Sequence, residues 1–409
     1  MLKIVTRIGL RAFIAVALLV TGTEIAAAKV EGNTIVLEAA VSLTGKYSTN
    51  GKNTKDGYDL AVKRINEKEG VKINGKSYKL KIVYYDDEST PARAAQLVER
   101  LINQDGVQYM LGPYSSGVTA AVAPVTEKYK IPMVEGNGAS LSLFNKGYKY
   151  LFATLSTTEY YLKSAVELMA EKASEIGKKP SEVTVAMAFE NDPFSQDVRA
   201  GVVEDAKKHG MKIVIDDKLP PEINDMAATL TKVRAIRPDL LVVSGHAKGA
   251  TLAVRQTNEM RVRPPMMATT HCDSAKVAET MGAAAEGFLC ASQWDRSLKY
   301  SDKWFGKAEE YAQLFEKTYN YAPPYQAAES TAAVLVFVDA FNRCQCFETE
   351  KLRDAIAATQ METFYGHIKF DESGKNVAKP MILYQVQKGD YRVVAPTKWA
   401  EAKVNFPLM

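Results

Sequence analysis

The chain has 409 residues, with 52 lysines and arginines against 48 aspartates and glutamates, a formal net charge of +4. Charges of both signs are interspersed and no basic block interleaves with aromatics, so nucleic acid is excluded as a partner on electrostatic grounds. Beyond the first 20 residues no run approaches the roughly 18 uninterrupted apolar residues that a membrane helix needs.

The N-terminus reads as an export signal over residues 1–28. Lys3, Arg7 and Arg11 precede the apolar stretch Ala12 to Val20, and Ala26-Ala27-Ala28 offers a small-residue cleavage site before Lys29. No cysteine follows that site, so a lipid anchor is not expected, and the mature chain should be exported to the periplasm. About 380 residues remain, which suits two domains better than one core.

The mature chain then alternates strand and helix. "NTIVLEAAVS" is short and β-rich, and Gly51 to Gly70 places Tyr58, Ala61, Val62 and Ile65 on one helical stripe. "KLKIVYYDD" predicts the next strand and Pro91 to Asn103 its crossover helix. The third unit is Val107–Leu111 followed by "GPYSSGVTAAVAPVTEKYKIP", whose helix stripe is Val118, Ala121, Val122, Val125 and Tyr129. Pro124 inside that stripe should kink the helix or leave one carbonyl unpaired. From about Ser156 the series restarts with "EVTVAMAFE", then a helix capped by Asp192 with Pro193 at its first position and Gly210 beyond its end. "KIVIDDKLP", "DLLVVSGH" and "PPMMATT" follow as strands, and "HIKFDESGK" and "MILYQVQKGDYRVV" form a helix-free tail. Buried apolar strands alternating with amphipathic helices predict an α/β fold of two doubly wound parallel-sheet lobes.

Catalytic patterns are missing. There is no G-x-S-x-G elbow and no phosphate loop, and "EGNGASL" lacks the third glycine of a dinucleotide fingerprint. The four histidines are scattered, and His271 beside Cys272 supplies too few ligands for a metal. Neither a cofactor nor a metal is expected, and an enzyme is not. A secreted hydrolase using Ser115 or Ser116 would require a histidine brought near by the fold. Cys272 and Cys290 could pair in an oxidising compartment, whereas Cys344 and Cys346, one residue apart, have poor geometry for a mutual bridge. In an open parallel sheet the "GPYSSG" turn falls at a strand's carboxyl end. There Ser115 and Ser116 can cap a helix and leave amides free for an anion. A well-capped turn with no ligand is the alternative reading.

Taken in order, "AAVSLTGKYSTNGKNTKDGYDLAVKRINEKEG", "IVYYDDESTPARAAQLVERLI", "MLGPYSSGVTAAVAPVTEKYKIP", "SLFNKGYKYLFAT" and "FYGHIKFDESGKN" resemble the periplasmic Leu/Ile/Val-binding proteins of ABC transporters. The resemblance implies two lobes joined by three crossing segments, near Ser156, Ser292 and Phe364, with a ligand cleft between them. Lobe one is then residues 29–155 plus 293–363, and lobe two 156–292 plus 364–409. It also implies an inner-membrane permease as partner, hinge closure over the ligand, and a monomeric carrier. The family's carboxylate contact falls on Tyr114, Ser115 and Ser116, with Thr119 nearby. Its ammonium contacts fall around Asn137 and Ala139, and its lobe-two aromatics on Phe194 and His246. The acidic partner of the ammonium falls on Thr270, with His271 beside it, the wall aromatic on Tyr325 and the first-loop contact on Asn50. Threonine cannot neutralise an ammonium. Either Glu135 or Asp273 substitutes, or the cargo is an aromatic or aliphatic carboxylate or an amide. A sensory role would share the same fold and site.

Overall fold

The computed structural model describes residues 30–408. The export signal and its cleavage before Lys29 lie outside the described residues. Among these, no helix is long and apolar enough to cross a membrane.

Two sheets organise the chain. The first contains β1 (Val30–Glu31), β2 (Thr34–Val41), β3 (Val71–Ile73), β4 (Lys76–Asp86), β5 (Met110–Leu111), β6 (Met133–Glu135) and β7 (Leu151–Ala153). Their spatial order is β3-β4-β2-β5-β6-β7, with β1 paired to β2. From β4 to β7 every pairing is parallel. The second sheet takes β8 (Thr184–Glu190), β9 (Lys212–Leu219), β10 (Leu240–Ser244), β11 (Met266–Thr270) and β12 (Leu289–Ser292). Two small hairpins follow, β13 (Ser301–Asp302) with β14 (Gly306–Lys307) and β15 (Gln360–Thr363) with β16 (Gly366–Lys369). The chain then adds β17 (Ile382–Gln387) and β18 (Asp390–Ala395) antiparallel to the edge at β12. The second order is therefore β18-β17-β12-β11-β10-β8-β9.

Both sheets thus carry the doubly wound strand order, in which the first strand has neighbours from both winding directions and a crevice opens at its carboxyl end. The strands are apolar on both faces because helices cover both: β8 and β10 are buried along nearly their whole length. The Ser48–Glu67 helix packs on the Tyr325–Cys344 helix so closely that a Cβ on Gly57 would lie 2.2 Å from the Ala327 carbonyl oxygen. Only glycine permits that backbone approach.

Two sequence expectations change in the structure, the third crossing and the Cys344–Cys346 geometry, while Pro124 takes the second of its two expected outcomes, a freed carbonyl. Residues 366–376 still belong with the first sheet: the Ala153 amide donates to the Gly374 carbonyl at 2.9 Å and Ala153 bridges to Lys375. The chain enters the second sheet only at Ile382, well beyond Phe364. Pro124 does not interrupt its helix, which runs unbroken from Ser116 to Lys128. The carbonyl freed by the proline belongs to Ala120, an exposed residue whose oxygen water can satisfy. Cys344 and Cys346 are bonded to each other, contrary to the expectation of poor geometry. Gln345 ends the Tyr325 helix in the left-handed region at φ 53°, turning the chain back so that the two Cα atoms are 5.1 Å apart. Cys272 and Cys290 also form a disulfide, which ties the segment just past β11 to the neighbouring strand β12.

Candidate solute-binding site

The carboxyl ends of the two sheets face each other, and the residues that follow the strands meet there. After β5 come Tyr114, Ser115 and Ser116; after β6, Asn137; after β8, Asp192 and Phe194; after β10, His246; and after β11, His271. A small cavity lies between them. Of the twelve residues singled out from sequence, the structure brings eight to its wall: Tyr114, Ser115, Ser116, Asn137, Phe194, His246, His271 and Tyr325.

The other four lie just outside. Thr119 donates its hydroxyl hydrogen bond to the Ser115 carbonyl at 2.9 Å and lies 3.0 Å from the Glu135 carboxylate. Ala139 contributes its carbonyl to the Thr158 amide. Asn50 is buried in the first turn of the Ser48 helix, with its carbonyl taken by the Thr54 hydroxyl. Thr270 ends β11 beneath the cavity, 3.4 Å from the Ser244 hydroxyl. Neither proposed acidic substitute lines the wall. Glu135 is turned onto the amides of Asn137 and Gly138, and Asp273 accepts from the Tyr325 amide at 2.9 Å. Burial raises these carboxyls to about 7 and about 6 respectively.

The lobe-one wall is a helix start. Ser115 is the N-cap, and its hydroxyl accepts from the Val118 amide at 3.4 Å. The first amides of any helix have no partner within it, and the helix dipole adds positive potential there. Ser115 sits at φ 81° and His271 at φ 64°, backbone conformations unusual for side chains other than glycine that are held in place by their surroundings.

A polar chain joins the lobes. Asp192 caps the Pro193–Lys208 helix through the Ser195 amide at 2.7 Å, while its other oxygen faces Nε2 of His246. Nδ1 of His246 is 2.8 Å from the Tyr114 hydroxyl, which is 3.1 Å from Nε2 of His271. Burial would lower the His246 imidazole, but the Asp192 carboxylate, helped by Glu190, carries it above the ordinary histidine value. Burial and the His246 charge push His271 far below it. With His246 raised and His271 lowered, a protonated His246 would donate to both Asp192 and Tyr114, and Tyr114 to His271; Nδ1 of His271 has no partner. Lys46 closes the rim, donating to the Pro221 carbonyl at 3.0 Å, and Tyr47 stands edge-on to His246 at 4.7 Å. The lobes are therefore closed on each other. The two cavity histidines bond to Tyr114, and His246 also to Asp192, rather than to Ser115 or Ser116.

Sequence reasoning missed three residues of the wall, Tyr161, Gln326 and Glu329. The last two sit in the first turns of a helix whose "AAVLVFV" run reads as core. The available signal was the appearance of glutamine and glutamate at three-residue spacing beside Tyr325 in an otherwise apolar segment.

Two doubly wound lobes closing over a small cavity at their strand ends define a bilobal solute-binding protein of the type I periplasmic class. Residues 39–390 match the family model described as periplasmic binding protein, and the chain belongs to that family. It is 24% identical over 374 residues to the Leu/Ile/Val-binding protein homolog 8 of Brucella abortus, covering 89% of this chain and 91% of that one. The fold is shared with a branched-chain amino acid transporter substrate binding protein from Streptococcus pneumoniae in complex with isoleucine. There the TM-score is 0.75 at 24% identity, covering 89% of this chain and 100% of that one. It is shared equally with a solute binding protein of an ABC transporter from R. palustris in complex with benzoate, with a TM-score of 0.75 at 17% identity over 88% of this chain and 95% of that one.

Proposed function

We propose that this chain is the periplasmic solute-binding component of an ABC-type uptake system of the branched-chain amino-acid class. It holds a small carboxylate-bearing solute between its lobes and delivers it, as a monomer, to an inner-membrane permease. The observation that carries this reading is the Ser115–Ser116 helix start, aimed into a cavity that the second lobe closes. An anion there meets helix-start amides and the protons of two serine hydroxyls whose oxygens accept from Val118 and Ser140, in a water-poor site where each hydrogen bond counts for more than in solution. The lobes are assigned as residues 30–155 with 293–376, and 156–292 with 377–408. The third crossing falls in the stretch between the bridge at Lys375 and the start of β17.

A ligand that binds only the folded form raises the melting temperature. A panel of amino acids and simple carboxylates should therefore contain at least one that does so, and Ser116→Ala should weaken its binding by about 1 to 3 kcal/mol. If no member of the panel shifts the melting temperature, the reading fails. The second reading keeps transport and changes the cargo to an aromatic acid, favoured by the rings of Tyr114, Tyr161, Phe194 and Tyr325 around the cavity. Benzoate binding more tightly than leucine in calorimetry would select it.

A further inference from the structure

We infer that Gln326 and Glu329, at the start of the Tyr325 helix, are the specificity determinants that select a cargo carrying an amino group beside its carboxylate. This rests on the carboxylate reading of the Ser115–Ser116 turn. Three residues apart, the two side chains project from one face of the helix. Both line the cavity and both are only 1% exposed. Neither the amide oxygen nor the amide nitrogen of Gln326 has a hydrogen-bond partner. A buried amide with both ends unpaired is costly and rare, so its partner is the solute.

Asn137 narrows the chemistry. Its Nδ2 donates to the Ser330 hydroxyl at 2.8 Å, and Oδ1, on the cavity-lining side chain, has no partner. Gln326 Oε1 and Asn137 Oδ1 are thus two acceptors that require donors. A carboxylate offers none and an ammonium offers three. Glu329 provides the countercharge that Thr270 lacks, on lobe one instead of lobe two. The Tyr365 hydroxyl donates to its Oε2 at 3.3 Å, and the buried Lys379 ammonium beyond it is occupied by the Gln293 carbonyl. Burial, and then Glu135, push the Glu329 carboxyl well above its usual range, against the pull of Tyr365 and Lys379, which favours a carboxyl that still carries its proton before the solute arrives. An arriving ammonium favours the ionised form, and binding then releases that proton to solvent.

The test uses the mature chain and three matched pairs of acids: leucine with 4-methylpentanoate, phenylalanine with 3-phenylpropanoate, and alanine with propanoate. Calorimetry is run at pH 7 in phosphate and in Tris, whose differing ionisation heats reveal proton exchange. In at least one pair the amino acid should bind 100-fold or more tighter than its partner, with net proton release. Glu329→Gln should cut that ratio at least tenfold and abolish the release, the loss falling mainly on the amino acid. Gln326→Leu should cut the ratio and retain the release, which gives a readout should Glu329→Gln fail to fold. Equal binding of both members, equal loss of both in the two variants, or binding without proton release overturns the inference and spares the carboxylate reading. Failure of all six acids to bind overturns both.

Discussion

Asp192→Asn separates two duties of one side chain. In the wild type one oxygen caps the Pro193 helix and the other faces His246, with both side chains 7% exposed. Asparagine retains an oxygen for the cap and loses the charge that the imidazolium requires. Breaking one side of a buried ion pair costs on the order of 3 to 5 kcal/mol. His246 recovers part of this by giving up its proton, so about 3 kcal/mol at pH 5.5 is expected. The sign of the pH dependence follows from the two shifts. Burial opposes the charge on His246, yet Asp192 lifts it, so its contribution is complete below the ordinary histidine value and is lost as pH rises through the higher folded one. Burial would raise Asp192, yet His246 and the Ser195 amide hold it low. Its contribution is complete above the ordinary carboxylate value and is lost as pH falls through the lower folded one. The pair is therefore at full strength between about pH 4 and pH 6.5. Urea unfolding of both proteins should show a gap of about 3 kcal/mol at pH 5.5 that narrows by pH 9. A gap under about 0.5 kcal/mol at pH 5.5, or one that widens at pH 9, would refute an ionised pair.

Tyr114→Phe removes the hydroxyl shared by the two histidines across the cleft, and solute affinity should fall by about 1 to 2 kcal/mol in calorimetry. Unchanged affinity would mean that lobe closure does not draw on this bridge. Gly57→Ala forces a Cβ against the Ala327 backbone and should destabilise by 1 to 3 kcal/mol or more in denaturant titration. Gly75→Ala, where nothing lies within 4 Å but φ is +77°, should cost only about 1 kcal/mol. Replacing Cys272 and Cys290 by serine opens a bridge spanning 18 residues and should lower stability by about 3 kcal/mol. The same change at Cys344 and Cys346, which closes a loop of 2 residues in sequence separation, should cost far less. Comparable losses in the two double variants would contradict the loop-entropy argument.

The sequence by itself determined the alternating pattern, because strand and helix periods are local properties and each β-to-α junction carries its own punctuation. Pro193 behind Asp192, and Ser115 before the Val118 stripe, announce helix starts without any tertiary information. Most of the cavity wall was legible for the same reason: in a doubly wound sheet the residues just past the strands are the ones that meet the ligand. What the tertiary structure alone decided is which polar groups remain unpaired. Glu135 and Asp273 look as suitable as Glu329 in the sequence, yet the first two are spent on backbone amides and the third faces the cavity. Hydrogen-bond saturation depends on contacts between distant segments, such as Asn137 and Ser330, 193 residues apart. No local pattern encodes that distance, so the polar half of the site becomes visible only in the folded chain.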